Sequence, residues 1–193
     1  MKLWMFAAIL TICGPVVLTS CSKEESIVAP VQKDYFTLWN TCESLTALQD
    51  YVKDVTDPKS KNFIKEEDRI ATFDMDGTLG KDEELVRTDQ LIIKNLKTNK
   101  VFQISQEIGK VPVLSFGNSG GDSAMHNYCL GNKTYKTAAF MLIADDEARD
   151  HANREKALKL GVQWREAGYH VISMRDDFKT IYGDGVVKTD FSF

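Results

Sequence analysis

Two carboxylates stand one residue apart directly after a short apolar run. The run is Ile70 to Phe73; Asp74 and Asp76 come next, and then Gly77 and Thr78. An apolar run closed by a glycine predicts a buried strand of a parallel sheet. Ligands of open α/β sheets bind beyond the carboxyl ends of such strands. Because two acids this close repel each other, the pair predicts a site for a divalent cation at a sheet edge.

A second polar segment follows another apolar run. Residues 111–116 predict a strand, and Gly117, Asn118, Ser119 and, after two glycines, Asp122 come directly behind it. Parallel strands end at one edge of a sheet, so we expect this segment to lie near the first pair. Asp122 is the best further metal ligand, and the amide at Asn118 adds a neutral oxygen of the kind Mg²⁺ accepts.

These two segments together resemble a known family. Asp74-x-Asp76-Gly77-Thr78 resembles motif I of the haloacid dehalogenase-like (HAD) phosphohydrolases. Gly117-Asn118-x-x-x-Asp122 resembles the motif IV pattern Gly-Asp-x-x-x-Asp, with asparagine at the first acid. The resemblance covers about residues 35–185 and is closest to the phosphoserine-phosphatase-like branch.

The resemblance implies a reaction and its residues. Asp74 would attack phosphorus, and Asp76 would act as general acid and base. Lys100 begins the helix before the second strand, where the family's motif III lysine lies, and would supply positive charge. Lys94, Lys97 and Lys110 are nearby alternatives, and each lysine also fits a solvated surface charge. Mg²⁺ is the implied cofactor, with Asp74, Asp76 and Asp122 as ligands, and the implied substrate-binding residues are Thr78, Asn118 and Ser119.

One part of the family pattern is missing. In that branch a cap domain and a strand carrying a motif II Ser or Thr separate motif I from the lysine. Here only about twenty residues separate Leu79 from Lys100, and one βαβ unit alone takes roughly thirty. We therefore expect a deletion junction near residues 79–83, no cap domain, and no motif II residue.

The periodicity along the chain predicts the elements that must position these residues. Strands alternate with helices, which predicts a truncated three-layer α/β sandwich with a mostly parallel sheet and the first strand at a poorly covered edge. The predicted helices span residues 35–55, 101–108 and 147–167, the predicted strands span 69–74, 111–116, 138–144 and 170–174, and residues 85–95 fit a strand or hairpin.

The N-terminus predicts export. Lys2 and an apolar run over residues 3–18 resemble a signal peptide, and Leu-Thr-Ser at 18–20 followed by Cys21 resembles a bacterial lipoprotein cleavage site. We expect a signal over 1–20, lipidation of Cys21, a tether over 21–33 and a core domain over 34–193. Such a protein would be anchored at the cell envelope, periplasmic or surface-exposed, without spanning the membrane.

Charge and the remaining reactive residues limit other functions. A net charge of −4 without a basic block argues against nucleic-acid binding. Cys42 and Cys129 fit either one disulfide or two buried free thiols. The acids that follow the last two predicted strands are expected to be helix caps or solvated loop residues: Asp145, Asp146, Asp176 and Asp177. The three histidines are expected to be structural or surface groups: His126, His151 and His170. The two residues behind Asp122 that are expected to pack are Met125 and Tyr128.

Two functions remain open. The first is a Mg²⁺-dependent phosphomonoesterase acting on a small-molecule phosphoester outside the cytoplasm. The alternative is a catalytically impaired lipoprotein that keeps the sheet as a binding or interaction module. A receiver-like domain phosphorylated on Asp74 is disfavoured by the lipoprotein signal and by the Gly-Thr pair after Asp76.

Overall fold

Four short parallel strands alternate with helices in the computed structural model, which describes residues 35–74, 96–183 and 185–189. The sheet order is β1-β2-β3-β4, with every neighbouring pair parallel. The predicted α/β class with a parallel sheet is therefore confirmed. The elements are α1 (Glu43–Thr56), β1 (Ala71–Phe73), α2 (Thr98–Glu107), β2 (Leu114–Gly117), α3 (Ser123–Leu130), β3 (Ala138–Ile143), α4 (Arg154–Glu166) and β4 (His170–Ser173).

Helices cover both faces of the sheet because alternate strand residues point to opposite sides. On β3, Ala138 and Phe140 join the core beneath α1, whereas Ala139, Met141 and Ile143 join the core beneath α4. Helix α3 packs on β2 and β3, and α2 packs on α3. The result is a helix–sheet–helix arrangement in which both faces of β3 are buried.

A row of four rings crosses the sheet on the α1 side. Phe73, Phe116, Phe140 and His170 stand in register on the four strands. Their neighbouring ring centroids lie 4.8, 5.0 and 4.8 Å apart in stacked geometry. Phe73 is 46% exposed because β1 is the outer strand of the described sheet. The predicted hairpin over 85–95 and the junction near 79–83 lie outside the described residues.

Two predicted helices begin later than the periodicity indicated. Helix α1 starts at Glu43 rather than near residue 35, because Trp39 pairs with Phe178 and stacks on its ring, at 4.4 Å. Helix α4 starts at Arg154 rather than at 147, because the Asp146 carboxylate takes the next backbone N–H groups and holds a turn. Both helix starts are set by local polar and aromatic contacts, which the spacing of apolar residues does not predict.

Helix α3 was not predicted. It follows a single 3₁₀ turn at Gly120–Asp122 and has only eight residues, too few for a clear period. Its buried residues are Met125, His126 and Cys129. The strands are shorter than predicted by one to three residues, and the first, expected over 69–74, spans only Ala71–Phe73.

Two further features concern cysteines and helix length. Cys42 is half-buried and Cys129 is buried, and both are free thiols, so the alternative of a disulfide between them does not hold. Among the described residues, no helix has the length and apolarity needed to cross a bilayer.

Candidate functional site

The ammonium group of Lys100 lies between two carboxylates at the carboxyl edge of the sheet. Its Nζ donates to Oδ1 of Asp74 and, at 2.6 Å, to Oδ1 of Asp122. The Lys100 side chain is 11% exposed, Asp74 is 10% exposed, and Asp122 is fully buried. Three residues that stand far apart in the sequence thus form one compact ionic cluster.

Three elements bring this cluster together. Asp74 directly follows β1, and its backbone N–H donates to the Phe116 carbonyl of β2 at 2.9 Å. Lys100 is in the first turn of α2. Asp122 ends the loop that follows β2. Because β1 and β2 are parallel neighbours, the two acids leave the sheet at the same edge, as their positions in the sequence predicted.

The second oxygen of Asp122 organises the loop after β2. Oδ2 accepts the backbone N–H groups of Asn118 and Ser119 at 3.0 and 2.9 Å, and the Ser119 hydroxyl at 3.2 Å. Ser119 Oγ also accepts the Gly121 N–H, and the reciprocal side-chain to backbone bonds between Ser119 and Asp122 form a capping box. Gly117 is required beside this carboxylate, since a Cβ there would lie 2.6 Å from Cβ of Asp122.

Electrostatics keep the cluster charged. Burial lowers the pKa of Lys100, but the hydrogen bonds to Asp122 and Asp74 outweigh burial and the net shift is upward. Burial raises the pKa of Asp122, but the bonds from Lys100 and from the loop backbone outweigh it and the net shift is downward. Both groups are therefore ionised throughout the neutral range.

The structure separates the candidate lysines. Lys100 joins the acids, whereas Lys110 pairs with Asp68 at 2.5 Å and donates to the Glu67 carbonyl. Lys97 is exposed. Lys94 and the predicted site residues Asp76 and Thr78 lie outside the described residues, as does the predicted lipidation site Cys21.

The described residues test the metal prediction only in part. Within residues 35–74, 96–183 and 185–189, no group of three or more His, Cys, Asp or Glu side chains is placed to hold a metal ion. Asp122 gives one oxygen to the loop and the other to Lys100. In this arrangement it would reach a cation only after Lys100 moved. Asp74 is the remaining acid of the cluster, and its predicted partner Asp76 is not described.

The acids at the ends of β3 and β4 form a different network. Asp145 accepts the Ser173 hydroxyl at 2.7 Å and the Arg175 N–H at 3.0 Å. Asp177 accepts the Ser44 hydroxyl of α1 at 2.5 Å. Of the two alternatives expected for these acids, helix caps or solvated loops, the second does not hold for Asp145, Asp146 and Asp177, because all three are buried and bound by donors of the fold.

Arg149 ties this network together. Its Nε donates to Asp146, and its two terminal nitrogens donate to four backbone carbonyls after β4. Burial raises the pKa of Asp146, but the bonds from Arg149 outweigh it and the net shift is downward. Arg149 therefore connects the loop after β3 to the loop after β4, and its hydrogen bonds serve to hold these loops together.

The three histidines differ. His126 is fully buried and its Nδ1 lies 2.6 Å from the Ser115 hydroxyl, while its Nε2 has no partner. Burial lowers the pKa of His126 to about 4. His151 is exposed, with Nε2 at 3.0 Å from the Thr189 carbonyl, and His170 stacks on Phe140.

The Ser115–His126 pair and the role of Gly117 were missed from the sequence. A serine inside an apolar strand signals a buried hydroxyl that needs a partner, and a histidine four residues after Asp122 is a candidate. Met125 is buried as expected for a packing residue, and Tyr128 is half-buried.

Comparison with known proteins adds no family. Neither the protein-family models nor the curated proteins gave a match for this chain. The likeness to HAD phosphohydrolases therefore stays a prediction from the motifs, and what is established is an α/β fold with an Asp–Lys–Asp cluster at the carboxyl edge of its sheet.

Proposed function

We propose that this protein hydrolyses phosphomonoesters, with Asp74 as the nucleophile. One observation carries the proposal: the Lys100 ammonium lies between Asp74 and Asp122 beyond the carboxyl ends of two parallel strands. Sites of α/β sheets lie at this edge. A cation held against a carboxylate suits phosphoryl transfer, in which the enzyme must offset negative charge on the transferring oxygens.

The reaction would proceed in two steps. A carboxylate oxygen of Asp74 forms a bond to phosphorus while the bond from phosphorus to the ester oxygen breaks, and the departing alcohol takes a proton from Asp76. A water molecule then gives a proton to Asp76 as its oxygen attacks phosphorus. Inorganic phosphate leaves, and the Asp74 carboxylate is restored. Lys100 would hold Asp74 in position and contribute positive charge in both steps.

Mg²⁺ is part of the proposal as the cofactor. When bound, it would supply further positive charge to the phosphoryl oxygens. Asp74 and Asp76 are its proposed ligands. Asp122 serves the site by holding Lys100 and the loop that carries Asn118 and Ser119.

A second function is favoured by a separate observation. Lys100 already donates to both acids of the cluster that the structure describes, and Asp122 has no oxygen left without a donor. Such a cluster is also what a purely structural ion pair would show. The second proposal is therefore an impaired enzyme that serves as a binding or interaction module at the cell envelope.

Hydrolysis of para-nitrophenyl phosphate by the purified full-length chain separates the two. We expect turnover with Mg²⁺ that EDTA abolishes and that Asp74→Asn lowers by at least about 10³-fold, since the nucleophile is lost. Asp176→Asn is the matched control, because the Asp176 side chain is 68% exposed and lies outside the cluster. It should retain the wild-type rate.

Thermal unfolding of each variant must show that it is folded. Equal rates for the wild type and Asp74→Asn, in folded proteins, would refute the enzyme and leave the binding module. A rate that survives EDTA but not Asp74→Asn would keep the nucleophile and remove Mg²⁺ from the proposal.

A further inference from the structure

A groove of about 490 Å³ opens beside the candidate site. One side is the loop after β2, including Ser119, and the other is the first three turns of α4. Ile143 at the end of β3 and Leu160 and Trp164 of α4 form an apolar wall of the groove. Polar groups in its lining come from Asn118, Ser119, His151, Asn153 and Lys156. This volume lies within the range of small-molecule sites, which are mostly apolar with a few polar groups.

Ser119 connects the groove to the proposed reaction centre. Ser119 lines the groove, and its N–H and hydroxyl also bind Asp122. Neighbouring strands lie about 4.8 Å apart, so the end of β3 stands about 10 Å from Asp74 at the end of β1. A ligand of that length would reach from Asp74, past Ser119, to the apolar wall.

We infer that this groove binds the organic group of the substrate, and that the substrate is a phosphomonoester with an apolar, aryl-sized organic group. The inference rests on the proposed phosphomonoesterase function. Burial of a ring against Ile143, Leu160 and Trp164 is favourable by the hydrophobic effect. A sugar-like group placed against these three side chains would lose hydrogen bonds to water that they do not replace.

Two measurements on the full-length chain test this inference. With Mg²⁺, kcat/KM should rise from methyl to benzyl to naphthylmethyl phosphate, esters of alkyl alcohols with similar leaving-group acidity, by about tenfold from each ester to the next. Separately, calorimetry with naphthol measures groove binding without any reaction. Ala152 is half-buried and lines the groove, so Ala152→Trp should fill it and weaken naphthol binding by at least about tenfold.

The matched control is Ala148→Trp, the same change at an exposed position of the same segment and outside the groove, which should bind naphthol like the wild type. Leu160→Ala removes part of the wall and provides a second variant if Ala152→Trp does not fold; it should weaken binding several-fold. Naphthol binding that neither variant weakens would overturn the groove.

The outcomes distinguish this inference from the function on which it rests. Hydrolysis without preference among the three esters, together with unaltered naphthol binding in both variants, would leave the phosphatase and remove the groove. Naphthol binding that Ala152→Trp blocks, in a folded protein that hydrolyses none of the esters, would overturn the proposed reaction and the substrate assignment, and keep only an apolar ligand site.

Discussion

The two halves of the sheet's carboxyl edge both carry buried acids, but they satisfy them differently. At the ends of β1 and β2, Asp74 and Asp122 share one ammonium group from α2. After β3, Asp145 and Asp146 are bound by hydroxyl, backbone and guanidinium donors, two of which come from the end of β4 and the loop behind it. Among the described residues, one ammonium group faces two carboxylates in the first half. In the second half the donors serve carboxylates and backbone carbonyls alike.

The difference bears on which half could take part in the proposed chemistry. Arg149 connects Asp146 to four carbonyls of the loop after β4, so its hydrogen-bonding capacity is used within the fold. The single charge on Lys100 faces two acids, one of which is at the end of an outer strand. A ligand that brings positive charge or displaces Lys100 would change the ion pairs of the first half. The hydrogen bonds from Arg149 to backbone carbonyls in the second half would stay intact.

The largest predicted effect is the loss of Lys100. Lys100→Met would remove the ammonium group from between Asp74 and the fully buried Asp122, and should lower the free energy of unfolding by about 3 to 5 kcal/mol. Arg149→Met should cost less, about 2 kcal/mol, since the Arg149 side chain is 34% exposed and water can replace its bonds. Urea denaturation followed by circular dichroism measures both.

The double variant Lys100→Met/Asp122→Asn provides the control for charge. It removes the buried negative charge with its partner and should recover at least about 1 kcal/mol relative to Lys100→Met alone. A double variant as unstable as the sum of its single changes, or equal costs for the Lys100 and Arg149 variants, would contradict the comparison.

The next largest effect should come from Gly117. Gly117→Ala places a methyl group 2.6 Å from Cβ of Asp122, which must move together with its loop. We expect a loss of about 2 to 3 kcal/mol in the free energy of unfolding. Gly120→Ala is the matched control, since nothing lies within 4 Å of its added methyl group, and it should change stability by less than about 0.5 kcal/mol. Similar costs for the two variants would show that the close approach is relieved elsewhere.

Acid should destabilise the fold through His126, which is buried against Ser115 of β2. Burial also lowers the pKa of His170 on β4, so both halves contain an acid-sensitive histidine. The folded pKa of His126 is about 4 against an ordinary 6.5, so between these values the unfolded chain binds more protons and stability falls as pH falls. The loss between pH 7 and pH 5 should be about 2 kcal/mol. Asp146, whose pKa is lowered, stays ionised at pH 5, and its contribution is lost only as pH falls below its ordinary pKa of 3.8.

Urea denaturation at pH 7 and pH 5 measures this loss. His126→Asn keeps a polar group near Ser115 but does not titrate, so its stability should depend less on pH by about the same 2 kcal/mol. An unchanged pH dependence in His126→Asn would assign the acid sensitivity to other groups.

The smallest predicted effect lies in the β3–β4 half. Ser44→Ala removes one of the donors to Asp177 and should cost about 1 kcal/mol, because the Ser173 N–H at 3.1 Å remains. Thr46→Ala, an exposed hydroxyl on the same helix, should change stability by less than about 0.5 kcal/mol. Thermal unfolding of the two variants measures the difference, and a Ser44→Ala cost no larger than that of Thr46→Ala would contradict the proposed tie.

Prediction from sequence succeeded where apolar residues form a continuous run and where acids directly follow such a run. Apolar runs located all four described strands, and the acids behind the first two pointed to one edge of the sheet. It failed where short-range polar contacts override periodicity, as at the turn of Asp146 that delays α4 and in the brief helix α3.

The sequence by itself determined the α/β class with a mostly parallel sheet and the presence of acids at the strand ends, because side-chain periodicity and strand-ending residues are local properties. Only the tertiary structure decided which acids share the Lys100 ammonium group and which accept hydrogen bonds from backbone N–H groups. From sequence alone, Asp74, Asp122, Asp145 and Asp146 are all acids behind apolar runs. They differ because Lys100 arrives from a separate helix at one half of the edge and Arg149 folds back at the other.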